Sequence, residues 1–507
     1  MVLTPLVSPT DSYLSQSSPL SRPARTSTSS RPSLDVHPPP LRKASTSSLS
    51  KLSDFHLDSP ASDDSGDAFS SEALSYQRVE GVRHIPLSLK ASGWRRPDFK
   101  TEILTILRGL HVPLWTSSIL TPSSIHLQKI SGALTNAVYF VSFNPAPTPT
   151  SPSMSPMLTP SMPPVDPSHP TPLQPDQYPP TLLLRIYGPS TDVLISRTDE
   201  LRILHVLSTV YSLGPRIYGT FTNGRVEQFF PSRALTLKEV HDPVISRGIA
   251  RRMRELHSVD LHLLGYGQGR EGIPMVWSCL EQWLGPAQSV LMTLAKKDAV
   301  WSRWVEEFDL PRAKVELEQY RQRLLQEGSS LVFSHNDAHC GNLLRLDVVP
   351  PNLPDHHRYV VIDFEYAAPN PRGYDIGNYF HEWCAVHHHH TMTPSAQPRL
   401  PYPNASDREN FYRAYLSLDM NASSGDEVLG RRGDVSATRV QALEREVLMW
   451  SPACSVFWSV WAIVQAEGQV NALIEGREEE VDYNYLSYAK ERMGMFRQET
   501  SALGILA

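Results

Sequence analysis

Leu331-Val-Phe-Ser-His335-Asn-Asp337-Ala-His339-Cys-Gly-Asn342-Leu-Leu344, followed by Tyr359-Val-Val-Ile-Asp363-Phe-Glu365-Tyr366, decides how this chain folds. Each stretch opens as a short apolar run that reads as a buried strand, and each run ends in acidic or amide side chains. Polar groups carried at the ends of rigid strands are how a chemical site is supported. Taken singly, an Asn-Asp pair after a strand is also a turn, and Asp-Phe-Glu also a strand end. Taken together and in this order, they point to a site.

Asp337 and Asn342 lie five residues apart, the spacing between the catalytic Asp and the metal-binding Asn of protein-kinase catalytic loops. Asp363-Phe-Glu stands where such enzymes carry a second metal-binding Asp. Phosphoryl transfer needs these residue types. A carboxylate orients a hydroxyl and takes its proton, while an amide and a second carboxylate hold a hard cation on the phosphate oxygens.

The second stretch continues as Asp363-Phe-Glu-Tyr-Ala-Ala-Pro-Asn-Pro-Arg-Gly-Tyr-Asp375-Ile-Gly-Asn378-Tyr-Phe-His-Glu382-Trp383, and over this length it resembles the signature of the choline/ethanolamine kinases, relatives of the aminoglycoside phosphotransferases. The resemblance spans roughly residues 85 to 500, broken by insertions. It implies an α+β, two-lobed, protein-kinase-like fold with a small antiparallel-sheet N-terminal lobe and a larger, mainly helical C-terminal lobe. The implied activity is ATP- and Mg²⁺-dependent phosphorylation of choline to phosphocholine, the first step of the CDP-choline route to phosphatidylcholine. Ethanolamine is the alternative acceptor, and a non-catalytic scaffold is opposed by the joint presence of Asp337, Asn342 and Asp363. A homodimer is also implied by the resemblance; the residues themselves say nothing of it.

Composition sets the remaining bounds. With 44 prolines against 26 glycines among 507 residues, part of the chain is not expected to pack. A formal net charge of −6 gives no basic surface for nucleic acid or anionic lipid. The four cysteines lack CxxC spacing and read as reduced thiols of a cytoplasmic protein. No basic-then-apolar leader and no run of eighteen apolar residues is present, so no transmembrane segment is expected.

In chain order, residues 1–80 are a Ser/Pro-rich tail expected to be disordered, 81–235 an N-terminal lobe, and 236–507 a C-terminal lobe. A helix is expected from Asp98 to Leu110. Ile125–Ile130 and Ala137–Phe143 read as strands joined by Ser131-Gly132-Ala133-Leu134-Thr135-Asn136, a small-residue turn of a kind that is most often only a hairpin but can lay backbone N–H groups over phosphates. There is no Walker A sequence, and the resemblance assigns ATP to this small-residue loop. Residues 144–180, almost wholly Pro, Ser, Thr and Met, read as a disordered insertion between two strands. Arg185 stands alone as a cation in the next strand, and the resemblance gives it the phosphate-holding role that Lys has in protein kinases. Glu200, opening the following helix, is its expected partner, or equally a carboxylate placed by the helix dipole. Gln228-Phe229-Phe230-Pro231-Ser232-Arg233 resembles the hinge where adenine meets the chain.

Within the C-terminal lobe the resemblance assigns Asp337 as the base, His335 as a brace of the loop, Asn342 and Asp363 as magnesium ligands, and His339 to the nucleotide; Asp375 reads as structural. Trp458 and Trp461, three apart, share one helix face, which is more often core packing. The resemblance turns them into walls of a trimethylammonium pocket with Glu382, Tyr483 and Tyr488, since a quaternary ammonium is held by ring faces and charge. His387 falls near a tyrosine that the family carries, and the run His387–His390 reads as solvated rather than metal-binding. Residues 388–407 and 419–436 read as loops.

Overall fold

The computed structural model describes residues 77–130, 136–144, 178–187, 197–266, 272–349, 351, 353–384, 401–418, 435–477 and 483–506. The described residues begin a few positions before the expected boundary. Strand β1 (Gln77–Val79) turns through Glu80-Gly81 into β2 (Val82–Ile85), and β2 runs parallel to a later strand. Glu80 and Gly81 both have positive φ, and a Cβ on Gly81 would also press on the His205 ring. The tail assigned to 1–80 therefore ends in a strand; residues 1–76 lie outside the described residues, as does most of the 144–180 insertion.

Helix α1 (Pro97–Gly109) buries Phe99, Ile103, Leu104, Ile106 and Leu107 along one face, as its spacing predicts. It packs behind β3 (Ile125–Ile130), β4 (Asn136–Phe143) and β5 (Leu182–Tyr187), an antiparallel run. Helix α2 (Arg197–Val210) follows, then β6 (Ile217–Phe221) and β7 (Gly224–Gln228), joined by the Thr222-Asn223 turn. These form one seven-stranded sheet in the order β1-β2-β6-β7-β5-β4-β3, antiparallel but for β2 beside β6. Val141 of β4 pairs with Leu182 of β5, so the insertion leaves and re-enters at neighbouring strand ends.

The hinge is stitched into the second lobe. β8 (Ser232–Ala234) pairs with β10 (Leu343–Leu346), which pairs in turn with β11 (Tyr359–Val361). After α3 (Leu237–Val240) and α4 (Pro243–Leu256), the helices α5 (Met275–Ala295), α6 (Ala299–Phe308) and α7 (Leu310–Leu324) lead to β9 (Leu331–Ser334), whose partner is β12 (Ala368–Pro371). Then come α8 (Arg372–Glu382), α9 (Ala405–Ser417), α10 (Ala437–Gln465), α11 (Glu467–Ile474) and α12 (Tyr485–Ala502). The start of α9 overruns a stretch expected to be loop. Asn404 caps it by accepting from the Ser406 and Asp407 N–H groups, and the Asp407 carboxylate returns to the Asn404 N–H. Helix α10 is long and apolar enough to cross a membrane by length and composition, but 89% of that apolar window is buried against α5, α8 and α12. It is the core around which the C-terminal lobe is packed.

Candidate active site

The site begins where β9 stops. Asn336 takes a positive φ of 64°, which its short amide tolerates, and this swings the chain so that Asp337 faces the cleft. The turn is over-determined. Asp375, fully buried on the first turn of α8, accepts from the N–H groups of His335 (2.9 Å) and Asn336 (2.7 Å) and from His257 Nε2 (2.9 Å), which continues to Tyr415. Burial alone would raise the Asp375 carboxyl, but the His257 bond, the two imidazoles and the backbone N–H hold it below its usual range. Its structural reading from the sequence thus has a geometric basis.

His335 is a brace in the same sense. Its Nε2 faces the Ile362 carbonyl at 3.0 Å and must donate, while Nδ1 accepts the Asp337 N–H at 3.3 Å. Burial lowers its pKa, against the pull of Asp375, so the ring stays in this neutral tautomer. The link to Ile362 ties the catalytic loop to the neighbouring strand end that carries Asp363, itself at φ 66°. Asn342 donates through Nδ2 to the Asp337 carbonyl (3.1 Å) and Oδ2 (3.2 Å), which leaves its Oδ1 for a cation. Asn342 Oδ1 and the Asp363 carboxylate are an all-oxygen donor set, the chemistry of Mg²⁺. His339 caps the turn Cys340–Asn342 through Nδ1, and its Nε2 stands 3.9 Å from Asp337 Oδ2. Asp337 is pushed well above the ordinary carboxyl range by its protein surroundings and by the charges of Glu382, Asp363 and Glu365, with the Asn342 bond opposing.

One side of the cleft is aromatic. Trp458 and Trp461 of α10 meet edge to face at 5.3 Å, Tyr366 lies edge-on to Trp458 at 5.5 Å, and the rings continue through Tyr485, Tyr483 and Tyr488. Trp458 Nε1 donates to Asn378 Oδ1 (2.7 Å), and Asn378 Nδ2 donates to the Asn336 carbonyl (3.1 Å), so this wall is keyed to the catalytic loop. Such registry needs α8 close to α10; a Cβ on Gly373 would sit 2.8 Å from the Glu446 carbonyl oxygen. Glu382 is 7% exposed and meets Arg492 Nη2 at 3.1 Å. The same guanidinium donates through Nε to Tyr488 at 2.9 Å. Burial opposes its charge, but Tyr488 and Glu382 hold it protonated. Tyr366, Tyr485, Asn378 and Arg492 were not assigned to the site by sequence. The first three stood in plain view beside residues that were, whereas Arg492 is one arginine among many in a helix.

The opposite side is ionic, and here one expectation is corrected. Arg185 is not paired with Glu200. Its Nε lies 3.3 Å from Glu227 Oε1, and Glu200 is held by Arg225 at 2.7 Å. The cause is strand register: Arg185 of β5 is directly opposite Arg225 of β7, so both project from one face, and Glu227, two residues on, shares it. Arg225 also meets Glu227 at 2.5 Å. Burial disfavours both charges, yet the Arg225 guanidinium is raised and the Glu227 carboxyl lowered by each other.

The hinge residues serve each other in this structure. Gln228 Oε1 accepts from the Arg216 N–H, Phe229 packs on Phe140 at 4.7 Å, the Pro231 carbonyl accepts from Asp347 N–H, and the Ser232 hydroxyl donates to the Phe230 carbonyl. Arg233 forks onto Glu239 at 2.6 and 2.8 Å, which pulls the Glu239 carboxyl down to about 2. Residues Ser131, Gly132, Ala133, Leu134 and Thr135, and His387 with the histidine run, lie outside the described residues; Asn136 opens β4.

Comparison with known proteins agrees with this geometry. A family described as choline/ethanolamine kinase matches residues 127–497. A choline kinase of Schizosaccharomyces pombe is 29% identical over 449 residues, covering 81% of this chain and 90% of that one. An ethanolamine kinase of Saccharomyces cerevisiae is 27% identical over 469 residues, covering 80% and 77%. Among solved structures, a choline kinase from Cryptosporidium parvum has a TM-score of 0.51 at 23% identity, covering 80% of this chain and 97% of that one. A Plasmodium vivax ethanolamine kinase has a TM-score of 0.52 at 18% identity, covering 81% and 95%. The fold is therefore the two-lobed, protein-kinase-like one, and the chain belongs to the choline/ethanolamine kinase family, as a phosphotransferase with an alcohol acceptor.

Proposed function

We propose that this kinase transfers the γ-phosphoryl group of ATP to the hydroxyl of choline, giving phosphocholine and ADP in the cytoplasm. The observation that carries the choice of acceptor is the state of the polar atoms around the aromatic wall. Glu382 Oε1 and the Tyr488 hydroxyl both already accept from Arg492, and the Tyr366 hydroxyl accepts from Trp461 Nε1. What the wall offers is ring faces with an anion behind them. A trimethylammonium, which has no N–H to donate, suits that surface; a primary ammonium needs three acceptors.

In this reading Asp337 accepts the proton of the attacking hydroxyl, and its upward-shifted carboxyl brings its basicity toward working pH. Asn342 and Asp363 would hold Mg²⁺, whose charge would offset that developing on the phosphate oxygens. Arg185, beside Glu227 at 3.3 Å, is the cation that would meet the phosphates. His335 and Asp375 keep the loop in register. Homodimerisation belongs to the same proposal and is read by sedimentation of the purified chain.

The test is ADP release with Mg²⁺ and ATP, comparing choline and ethanolamine over a concentration series. A much higher kcat/KM for choline supports the proposal. A preference for ethanolamine leaves Asp337 in place and removes the pocket reading, and no turnover with either acceptor removes the proposal.

A further inference from the structure

In the last turn of α4 and the turn before β11, three side chains from two separate segments converge. Glu255 Oε1 lies 2.7 Å from His356 Nε2 and 3.0 Å from His357 Nε2, and the three candidate donor atoms all lie within 4.8 Å of one another. The two imidazoles come from the short helical turn Asp355–Arg358 that runs directly into β11. Their rings stand 4.8 Å apart at 73°, each aimed at the same oxygen. We propose that Glu255, His356 and His357 form a binding site for a transition-metal dication of the zinc class, separate from the Mg²⁺ position at Asn342 and Asp363.

The donor set selects the metal. Two imidazole nitrogens and one carboxylate oxygen are the ligands of three-coordinate protein zinc sites, which leave a fourth position for water, whereas Mg²⁺ and Ca²⁺ take oxygen almost exclusively. The supporting contacts have the form such sites need. Arg252, 3% exposed, holds the other oxygen of Glu255, fixing the plane and direction of the carboxylate without occupying Oε1. His356 is buried, while Glu255 and His357 have side chains 14% and 20% exposed, so the pocket is walled on one side and open to solvent on the other. Zinc bonds of about 2.0–2.1 Å at tetrahedral angles place ligand atoms roughly 3.3 Å apart, so the two carboxylate–imidazole pairs, now at 2.7 and 3.0 Å, open by about 0.3–0.6 Å on binding. The protons on Nε2 shift to Nδ1 as the metal takes the Nε2 lone pairs.

A metal here joins two parts of the catalytic frame. Glu255 lies two residues before His257, the partner of Asp375, and the histidine pair precedes the strand that ends at Asp363. The two elements are already in close contact: a Cβ on Gly248 of α4 would sit 2.2 Å from the Tyr359 ring. A bound dication fastens α4 to the segment that leads into β11.

The experiment uses the full chain with His387–His390 replaced by serine, stripped with chelator and titrated calorimetrically with Zn²⁺ alone. One equivalent is expected, with an upward shift in Tm on binding, and Co²⁺ in place of zinc is expected to give the visible absorption of a low-symmetry four-coordinate site. The double variant His356→Asn/His357→Asn loses the equivalent, the Tm shift and the Co²⁺ spectrum, and keeps its far-ultraviolet dichroism and kinase turnover. Absence of a stoichiometric equivalent in the starting chain, or equal binding in the double variant, overturns the proposal.

Discussion

In the proposed function the two walls of the cleft have the same task, gripping a charged group, and they are built for it by opposite means. On the side of Arg185 the grip is a lattice of full charges, Arg185 and Arg225 interleaved with Glu227 and Glu200, with Arg225 and Glu227 almost wholly buried. On the side of α10 it is a stack of rings with a single internal ion pair, Glu382 with Arg492. The difference follows from what each wall meets. Phosphates present several localised charges that reward fixed cations, and a buried guanidinium keeps its charge only if carboxylates surround it. A diffuse organic cation rewards polarisable faces, which carry no desolvation penalty of that size. The ionic wall is therefore the more fragile of the two when any member is removed.

The largest effect is expected at the group between the walls. Asp337→Asn should lower kcat by about 10²–10⁴-fold while ATP binding, measured by calorimetry, is retained; undiminished turnover would remove Asp337 as the base. Arg225→Met should destabilise the chain by about 3–5 kcal/mol in denaturant titration, because Glu227 is left buried without its nearest cation, and should raise KM for ATP more than for choline. If that loss is under about 1 kcal/mol, the contrast between the walls fails.

The frame that spaces the walls answers to acid. The Asp375 carboxyl is lowered in the fold, so its stabilising contribution is present above its ordinary pKa of about 3.9 and is lost as pH falls toward the folded value. Asp375→Asn should lower stability at neutral pH and flatten the acid limb of a stability-against-pH curve relative to the parent chain.

A smaller effect is expected on the aromatic side. Trp461→Leu removes one ring face worth about 1–2 kcal/mol, so KM for choline should rise roughly 5–30-fold with KM for ATP unchanged. An equal rise in both constants would mean that the ring supports the lobe as a whole. The smallest is expected from deleting 145–177: β4 and β5 already pair at their ends, and each halving of a loop changes its closure cost by only about 0.6 kcal/mol, so Tm and kcat should be nearly unchanged.

How much of this was legible in the sequence divides along the same line. The strand ends that carry Asp337 and Asp363 and the shared helix face of Trp458 and Trp461 were readable because each is local, an apolar run ending in polar groups or two residues three apart on a helix; that spacing alone favoured core packing for the tryptophans, and the pocket reading rested on the family resemblance. Asp375 was readable as structural, but its partner His257, at the end of α4, and Tyr415 of α9 behind that ring were not, because they come from distant segments. The ionic wall was misread at Glu200. Which carboxylate meets which arginine depends on β5 and β7 lying in register, so that Arg225 faces Arg185, and register between two strands separated by α2 and β6 is not written in either strand alone. Arg492 went unassigned for a similar reason: nothing local marks an arginine on an amphipathic helix as the partner of an acid 110 positions earlier. The described start at Gln77 was hidden because its strand is only three residues long.

The burial of α10 has a consequence for how this protein comes into being. The helix emerges from the ribosome after α5, α7 and α8 but before α12, its most extensive partner, which is formed by the last turns of the described chain. Until residues 485–502 have been made, one flank of a 29-residue apolar helix faces water. A chain ending before Tyr485 thus presents a sticky stripe that includes Trp461, and the cell meets it as a client for chaperones rather than as a slower enzyme.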